Sequence, residues 1–271
     1  MRKPYSFLLV LVLPLLLLSC GNFRKIEKNP DWRVKYEGAL NYYAKKDYFK
    51  AASLFEQILP IVRGLPEGEK VQFQMAYCQY YQKTYLIASE LFKTFYETYG
   101  RSTLVEEARF MYAYSLYVSS PNANLDQNSS IQAMAAMQEF LNRYPNSKFM
   151  DQALESIKVT QGKLEKKGFD NARQYYKMRQ YKAAIVALGN FKKNFPDSKY
   201  VEDAQYLIVV AQFNLAEQSI YSRQEERYKE VITSYKELID KYPDSDFLRD
   251  AERLYSESLQ KLTKFKNNNN T

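Results

Sequence analysis

Past residue 30, apolar positions recur at helical spacing, and they recur in blocks that copy one another. KYEGALNYY from Lys35, QFQMAYCQYY from Gln72 and RFMYAYSLYV from Arg109 place their central alanines, Ala39, Ala76 and Ala113, 37 residues apart. A second apolar stretch follows each block: KAASLFEQIL (50–59), IASELFKTFY (87–96) and IQAMAAMQEFL (131–141). Ala51 and Ala88 keep the 37-residue interval, and so do Phe55 and Phe92. Farther on, FDNARQYY begins at Phe169 and YLIVVAQF at Tyr206, with KAAIVALGNF (182–191) and EVITSYKELI (230–239) as their partners. Apolar residues three and four apart predict amphipathic helix. Only 8 glycines and a scarcity of alternating β-branched runs argue against sheet. The chain is therefore predicted all-α, as about five helical hairpins. One hairpin cannot bury its own apolar stripe, so neighbours must stack into a superhelical solenoid.

Between the blocks stands a repeated decapeptide: YPNSKFMDQA (144–153), FPDSKYVEDA (195–204) and YPDSDFLRDA (242–251), with a blurred copy, YGRSTLVEEA, at 99–108. Proline disfavours helix at the residue before it, so Tyr144, Phe195 and Tyr242 mark where second helices stop. Asn or Asp then favours a turn, and Ser147, Ser198 and Ser245 are placed to cap the next helix. Glu202 and Asp203 suit the positive end of that helix's dipole. The aromatic before each proline and the one three residues after the Asp or Asn are expected to pack together over the corner.

A two-helix unit of about this length resembles the tetratricopeptide repeat (TPR), whose period is about 34 residues. Ala39, Tyr42, Ala51 and Phe55 fall where that family keeps small and large residues. Small residues let backbones approach, and large ones fill the notch beside them. The pattern divides the chain into repeats one to three at 31–145 and repeats four and five at 146–262. Between them 151–176 is expected to be one extended helix. A polar insertion is expected at 119–130, an extension of a first helix at 219–228, and disorder at 263–271.

The front end, MRKPYSFLLVLVLPLLLLSCGN, has a charged start and a dozen apolar residues, too few for a span of about 20. It reads as a secretory signal at 1–19. Leu17-Leu18-Ser19-Cys20 resembles a bacterial lipobox, which implies cleavage before Cys20 and acylation of that cysteine. Residues 20–30 then read as a polar tether rich in lysine. Cleavage leaves 37 basic against 31 acidic residues, where the full chain carries +8. The excess is too diffuse for a nucleic-acid arm, and no nucleic-acid partner is expected.

The chain has no histidine, which removes the commonest general base and metal ligand. Its two cysteines, Cys20 and Cys78, fit no metal spacing, and neither a phosphate loop nor a nucleophile elbow occurs. No catalytic residue, metal or cofactor is expected, and the chain reads as a non-enzyme. Cys78 reads as a buried, inert thiol.

Twenty-five tyrosines ask for a place. Each first helix carries a row at i, i+4, i+7: Tyr36-Leu40-Tyr43, Phe73-Tyr77-Tyr80, Phe110-Tyr114-Tyr117, Phe169-Arg173-Tyr176 and Tyr206-Val210-Phe213. Each row lies on one helix face, one position off the alanines that meet the partner helix. In TPR proteins a face so placed lines a concave groove for peptides. Such rows are commonly core, and some of these rings must be. Yet tyrosine stands where Phe or Leu would suffice, which points to hydroxyls reaching water or a ligand. The first three rows are the candidate peptide surface, with Tyr81 beside them and Arg33 and Lys70 placed to grip a carboxylate or backbone.

Signal, lipobox, five TPR-like units and the aromatic-Pro corners together resemble the BamD family, the TPR lipoproteins of the outer-membrane β-barrel assembly machine. The resemblance runs from Cys20 to about Leu262. It is most specific in NARQYYKMRQYKAAIVALGNFKKNFPDSKY (171–200), with its paired tyrosines, Tyr-x-Ala-Ala hairpin and corner. Gln180 departs from the Gly or Asp common at that turn, and the tether is unusually rich in lysine. The resemblance implies a lipid-anchored scaffold on the outer membrane with its body in the periplasm. It implies two partners, a POTRA-containing insertase and unfolded outer-membrane β-barrel proteins. By that analogy the N-terminal groove takes substrate, and repeats four and five dock the insertase through the face of Arg173, Tyr176, Tyr206 and Phe213. A general TPR envelope scaffold, serving cell-wall synthesis, division or a secretin, remains the alternative.

Overall fold

In a computed structural model the described residues are 22–268, with side chains as far as 265. The expected signal at 1–19, Cys20 and the last three residues of the tail lie outside them. Among the described residues the chain is all-α and contains no strand. Consecutive helices pack as antiparallel hairpins in a TPR-like solenoid, and the chain divides into two compact units.

Among the described residues the first unit holds 22–121 and 126–160. Its hairpins are α1 (Trp32–Ala44) with α2 (Tyr48–Val62), α3 (Pro66–Tyr81) with α4 (Tyr85–Thr98), and α5 (Val105–Ser119) with α6 (Asn128–Arg143). The recurring alanines, Ala39, Ala51, Ala76, Ala88 and Ala113, are all fully buried, as are Phe55 and Phe92. Those small residues bring the backbones together, and the phenylalanines fill the space that closeness leaves. Gly68 serves an even tighter approach. A Cβ there would lie 2.3 Å from the Val62 carbonyl oxygen, a backbone atom with little freedom to yield. Residues 22–27, read from sequence as tether, form a helical turn instead. Phe23 packs edge-on to Tyr42 at 5.6 Å, and Ile26 joins the same core. Two apolar residues three apart suffice to dock that turn on α1. The insertion between α5 and α6 shortens to 120–127, because Asp126 accepts a hydrogen bond from the Asn128 backbone and starts α6 there.

Among the described residues the second unit holds 161–268 and 122–125. A 28-residue helix, α7 (Met150–Lys177), enters it, followed by α8 (Tyr181–Asn194), α9 (Val201–Glu217), α10 (Tyr221–Lys241) and α11 (Leu248–Asn268). Two expectations change here. The extension at 219–228 belongs to the second helix of its hairpin, α10. Tyr228 is the reason: its ring is buried and its hydroxyl donates to Glu217 at the end of α9, which pins the new turns. Residues 263–268, expected to be disordered, continue α11. Phe265 is buried against Tyr221, 4.8 Å between ring centres, so the helix keeps an apolar anchor past Leu262.

The corners are one module built four times. Tyr99, Tyr144, Phe195 and Tyr242 each end a helix, and their carbonyls accept from Ser102, Ser147, Ser198 and Ser245 backbone N–H at 2.9–3.2 Å. Each serine Oγ then accepts from the N–H two residues on, at 3.0 Å in Leu104, 3.1 Å in Phe149, 3.3 Å in Tyr200 and 3.2 Å in Phe247. The serine thus caps the short turn leading into the next helix, three residues before that helix begins. The aromatic pairing expected over the corner is replaced by another. Phe149 stacks on Phe110 (4.3 Å, 4°), Tyr200 on Phe169 (5.1 Å, 8°) and Phe247 on Tyr206 (4.4 Å, 6°), while Tyr144 and Phe195, before two of the prolines, stay with Phe140 and Phe191 of their own helices. The turn carries the later ring outward over the preceding first helix, where parallel rings bury more surface.

Within the hairpins the turns also repeat. Lys46, Lys83 and Arg179 have φ of 62°, 64° and 58°, and each N–H donates at 2.9 Å to the carbonyl of a tyrosine three residues back. The next residue bonds back to the carbonyl of Tyr42, Gln79 or Tyr175. This is the Schellman ending, with lysine or arginine where glycine is least strained. The left-handed residue is Arg179, so Gln180 is spared the backbone conformation that glycine would serve.

Candidate functional site: a tyrosine face across three hairpins

Because α1, α3 and α5 stack in register, the last turns of these first helices lie side by side in the first unit. Tyr43 contacts Tyr48 at 5.6 Å, and Tyr48 stacks on Tyr81 at 4.5 Å. Tyr81 lies 5.7 Å from Tyr77 and 5.6 Å from Tyr80. Tyr80 touches Tyr85 at 5.5 Å and reaches Tyr114 at 6.3 Å, which meets Tyr117 at 5.6 Å. Eight tyrosines thus form one unbroken chain of rings across three hairpins. Tyr81 is the most open of them, 46% exposed, and the others are half-buried.

The first members of the rows lie deeper. Phe73 and Phe110 are core, Phe73 against Phe92 and Phe95, and Phe110 beneath Phe149. They support the tyrosines from below and are closed to a ligand. Tyr36 packs against Trp32 at 6.4 Å, about 10 Å along α1 from Tyr43 at ~1.5 Å per residue. Arg33 and Lys70 are exposed near the starts of α1 and α3, and the Arg33 guanidinium lies 4.7 Å over the Trp32 ring. Each stands ten residues, or about 15 Å, from the tyrosine ending its own row, Tyr43 or Tyr80. Neither borders the ring chain.

The hydroxyls are set as neutral groups. Burial, then a 2.5 Å hydrogen bond donated to Glu107 Oε1, holds the Tyr77 phenol well above its ordinary range. Lys148 lies 3.7 Å from the other oxygen of Glu107. Burial pushes Tyr80 up to about 12 and raises Tyr43, Tyr81 and Tyr117 as well. At neutral pH the face offers rings and uncharged O–H groups, suited to peptide backbone and apolar side chains. Cys78 lies fully buried beneath this face, and burial pushes its thiol up to about 12, so it carries no thiolate.

The sequence reading missed Tyr48, Tyr85 and Glu107. Tyr48 and Tyr85 are 37 residues apart, the interval that ordered everything else, yet they open second helices and escaped a search along first ones. Glu107 stands in the first turn of α5, and only the packing of neighbouring hairpins brings Tyr77 to it.

In the second unit the corresponding rows are more occupied. Tyr206 stacks under Phe247, and Phe213 packs against Tyr228 at 6.2 Å. Arg173 pairs with Asp170 at 3.1 Å, above the Phe169 ring, and Tyr176 leans on Tyr181 at 5.9 Å.

The fold and this face define a TPR-like protein with a ring-lined surface. Two overlapping segments, 30–169 and 160–264, match the family described as YfiO, outer membrane lipoprotein, and the chain belongs to that family. A comparison with curated proteins finds no match. Among the described residues no helix is long and apolar enough to cross a membrane.

Proposed function

We propose that the protein is a non-catalytic scaffold of the outer-membrane β-barrel assembly machinery, a BamD-type lipoprotein anchored by acylated Cys20 with its body in the periplasm. The first unit receives segments of unfolded barrel proteins along Tyr43, Tyr77, Tyr80, Tyr81, Tyr114 and Tyr117, with Tyr36, Arg33 and Lys70 at the far end of the same helices. The second unit docks the POTRA-containing insertase around Arg173 and Tyr176, with Tyr206 and Phe213 as the packed support of that face. The observation that carries this reading is the unbroken ring chain across three hairpins, in a chain of the outer membrane lipoprotein family. Aromatic rings with neutral hydroxyls hold extended, chemically varied segments without demanding one sequence.

The test is photocrosslinking in living cells from positions 77 and 114. Adducts to newly exported barrel proteins are expected there, and the insertase should co-purify after gentle solubilisation. Depletion should lower many barrel proteins together. If barrel proteins stay normal while septation or a single secretin fails, the general envelope scaffold is the right reading and this one is wrong.

A further inference from the structure

The hairpin tips of the first unit pose a separate question. Phe49 is the second residue of α2 and Leu86 the second of α4, 37 residues apart, and they are 72% and 59% exposed; Ile87 beside Leu86 is 55% exposed. Grouped at adjoining tips, three apolar side chains this exposed form a patch that another surface can cover. The two tips are neighbours: Gln82 at the end of α3 donates to the Tyr48 carbonyl at 3.3 Å, and Tyr48 stacks on Tyr81. The edge continues to α5, where Val118 and Ser119 line one hollow with Lys83, Leu86 and Ile87. It is also basic. Lys45, Lys46 and Lys83 stand at the two tips, beside a Lys50–Asp47 ion pair of 2.7 Å. Lys46 and Lys83 hold left-handed positions that glycine would fill with less strain.

The anchor decides what meets this edge. The turn at 22–27 is docked on α1, and Asn22 and Lys25 line a hollow with Tyr42 and Lys45, beside the first tip. Cys20 lies two residues before Asn22, and two residues reach no more than about 7 Å. We infer that the hairpin tips of the first unit, through Phe49, Leu86, Ile87 and the lysines around them, dock on the anionic phospholipid surface that holds the lipid anchor. This rests on the reading of Cys20 as the acylated residue. Apolar side chains entering the headgroup boundary and lysines beside it are the two elements of interfacial binding. The docked edge runs alongside Tyr81, so the ring chain would open at the membrane surface, where barrel proteins are inserted.

The test uses the full, lipidated chain reconstituted in vesicles of phosphatidylethanolamine and phosphatidylglycerol. A fluorophore is placed by Phe49→Cys, by Leu86→Cys or, at the opposite end of the hairpins, by Arg101→Cys; buried Cys78 stays unlabelled. Mass spectrometry of the N-terminal peptide first reports whether Cys20 is acylated, so failure of that reading is seen by itself. With acylation confirmed, quenching by spin-labelled lipid at positions 49 and 86 should exceed that at 101 at least threefold. Lys45→Glu, Lys46→Glu and Lys83→Glu together should bring the three positions to within twofold of one another, with helix content unchanged by circular dichroism. Equal quenching at all three positions in the wild type overturns the inference. So does an edge unquenched by lipid yet shielded from water-soluble maleimide in intact cells, which would be a protein interface.

Discussion

The two units use the same scaffold and diverge on one face. In both, a corner serine caps the turn, and an aromatic stacks nearly parallel on the ring that begins the preceding row: Phe149 on Phe110, Tyr200 on Phe169, Phe247 on Tyr206. In both, fully buried alanines bring the helices together. The difference begins one turn further along the first helices. The first unit ends its rows in tyrosines that touch each other between hairpins, whereas the second has Arg173 and Val210 in the middle positions and ends its rows in Tyr176, which leans on Tyr181, and in the packed ring of Phe213. Helix pairing constrains the faces that meet, so the remaining face is free to carry different chemistry in each unit.

Four experiments would break or sharpen that comparison. The largest effect is expected in the shared core. Phe92→Ala should cost about 3–5 kcal/mol and Leu188→Ala, at the same helix register in the second unit, about 2–5 kcal/mol, measured by urea unfolding. A loss below 1 kcal/mol at either site would mean the two cores are not equivalent. Gly68→Ala comes next, because its Cβ meets a backbone oxygen. It should cost about 1–3 kcal/mol, while Gly162→Ala in the second unit, with open space around it, should be neutral or slightly stabilising in a thermal melt.

Tyr77→Phe tests what is particular to the first unit. Losing the bond to Glu107 should cost about 1–2 kcal/mol at neutral pH. The pH profile adds a sign. Tyr77 and Tyr43 have phenols raised above the unfolded value, so above pH about 10 the unfolded chain sheds protons that the folded chain keeps. Stability is full below that pH and falls as pH rises beyond it. Tyr77→Phe should flatten this alkaline decline, as read from unfolding free energies at pH 9 to 11. An unchanged slope would show that Tyr77 does not set it. The smallest effect is at the turns: Lys46→Gly and Arg179→Gly should each stabilise by about 0.5–1 kcal/mol, equally in the two units. Destabilisation at either would mean the side chain does more than occupy a strained turn.

Much of this was legible because the repeat writes its geometry at fixed intervals. Ala39 and Ala76 announced the close approaches, and Tyr144-Pro145 announced the ends of helices. Prolines and small residues act through local sterics, which need no knowledge of distant partners. The misreadings share the opposite cause. Phe149 was paired with its corner neighbour because sequence shows nearness along the chain, while the ring it meets, Phe110, lies 39 residues back. The turn at 22–27 and the end of α11 looked polar and loose. Each is held by one or two rings whose partners, Tyr42 and Tyr221, only the fold supplies.

By itself the amino-acid order determined the helices, their pairing at a 37-residue interval and the side of each first helix that bears tyrosine, because periodicity and steric exclusion act within a few residues. The tertiary structure alone decided which rings became core, which joined across hairpins with Glu107 beneath them, and which tips were left bare. Burial belongs to what packs on top of a residue, and stacking of whole hairpins chooses that cover.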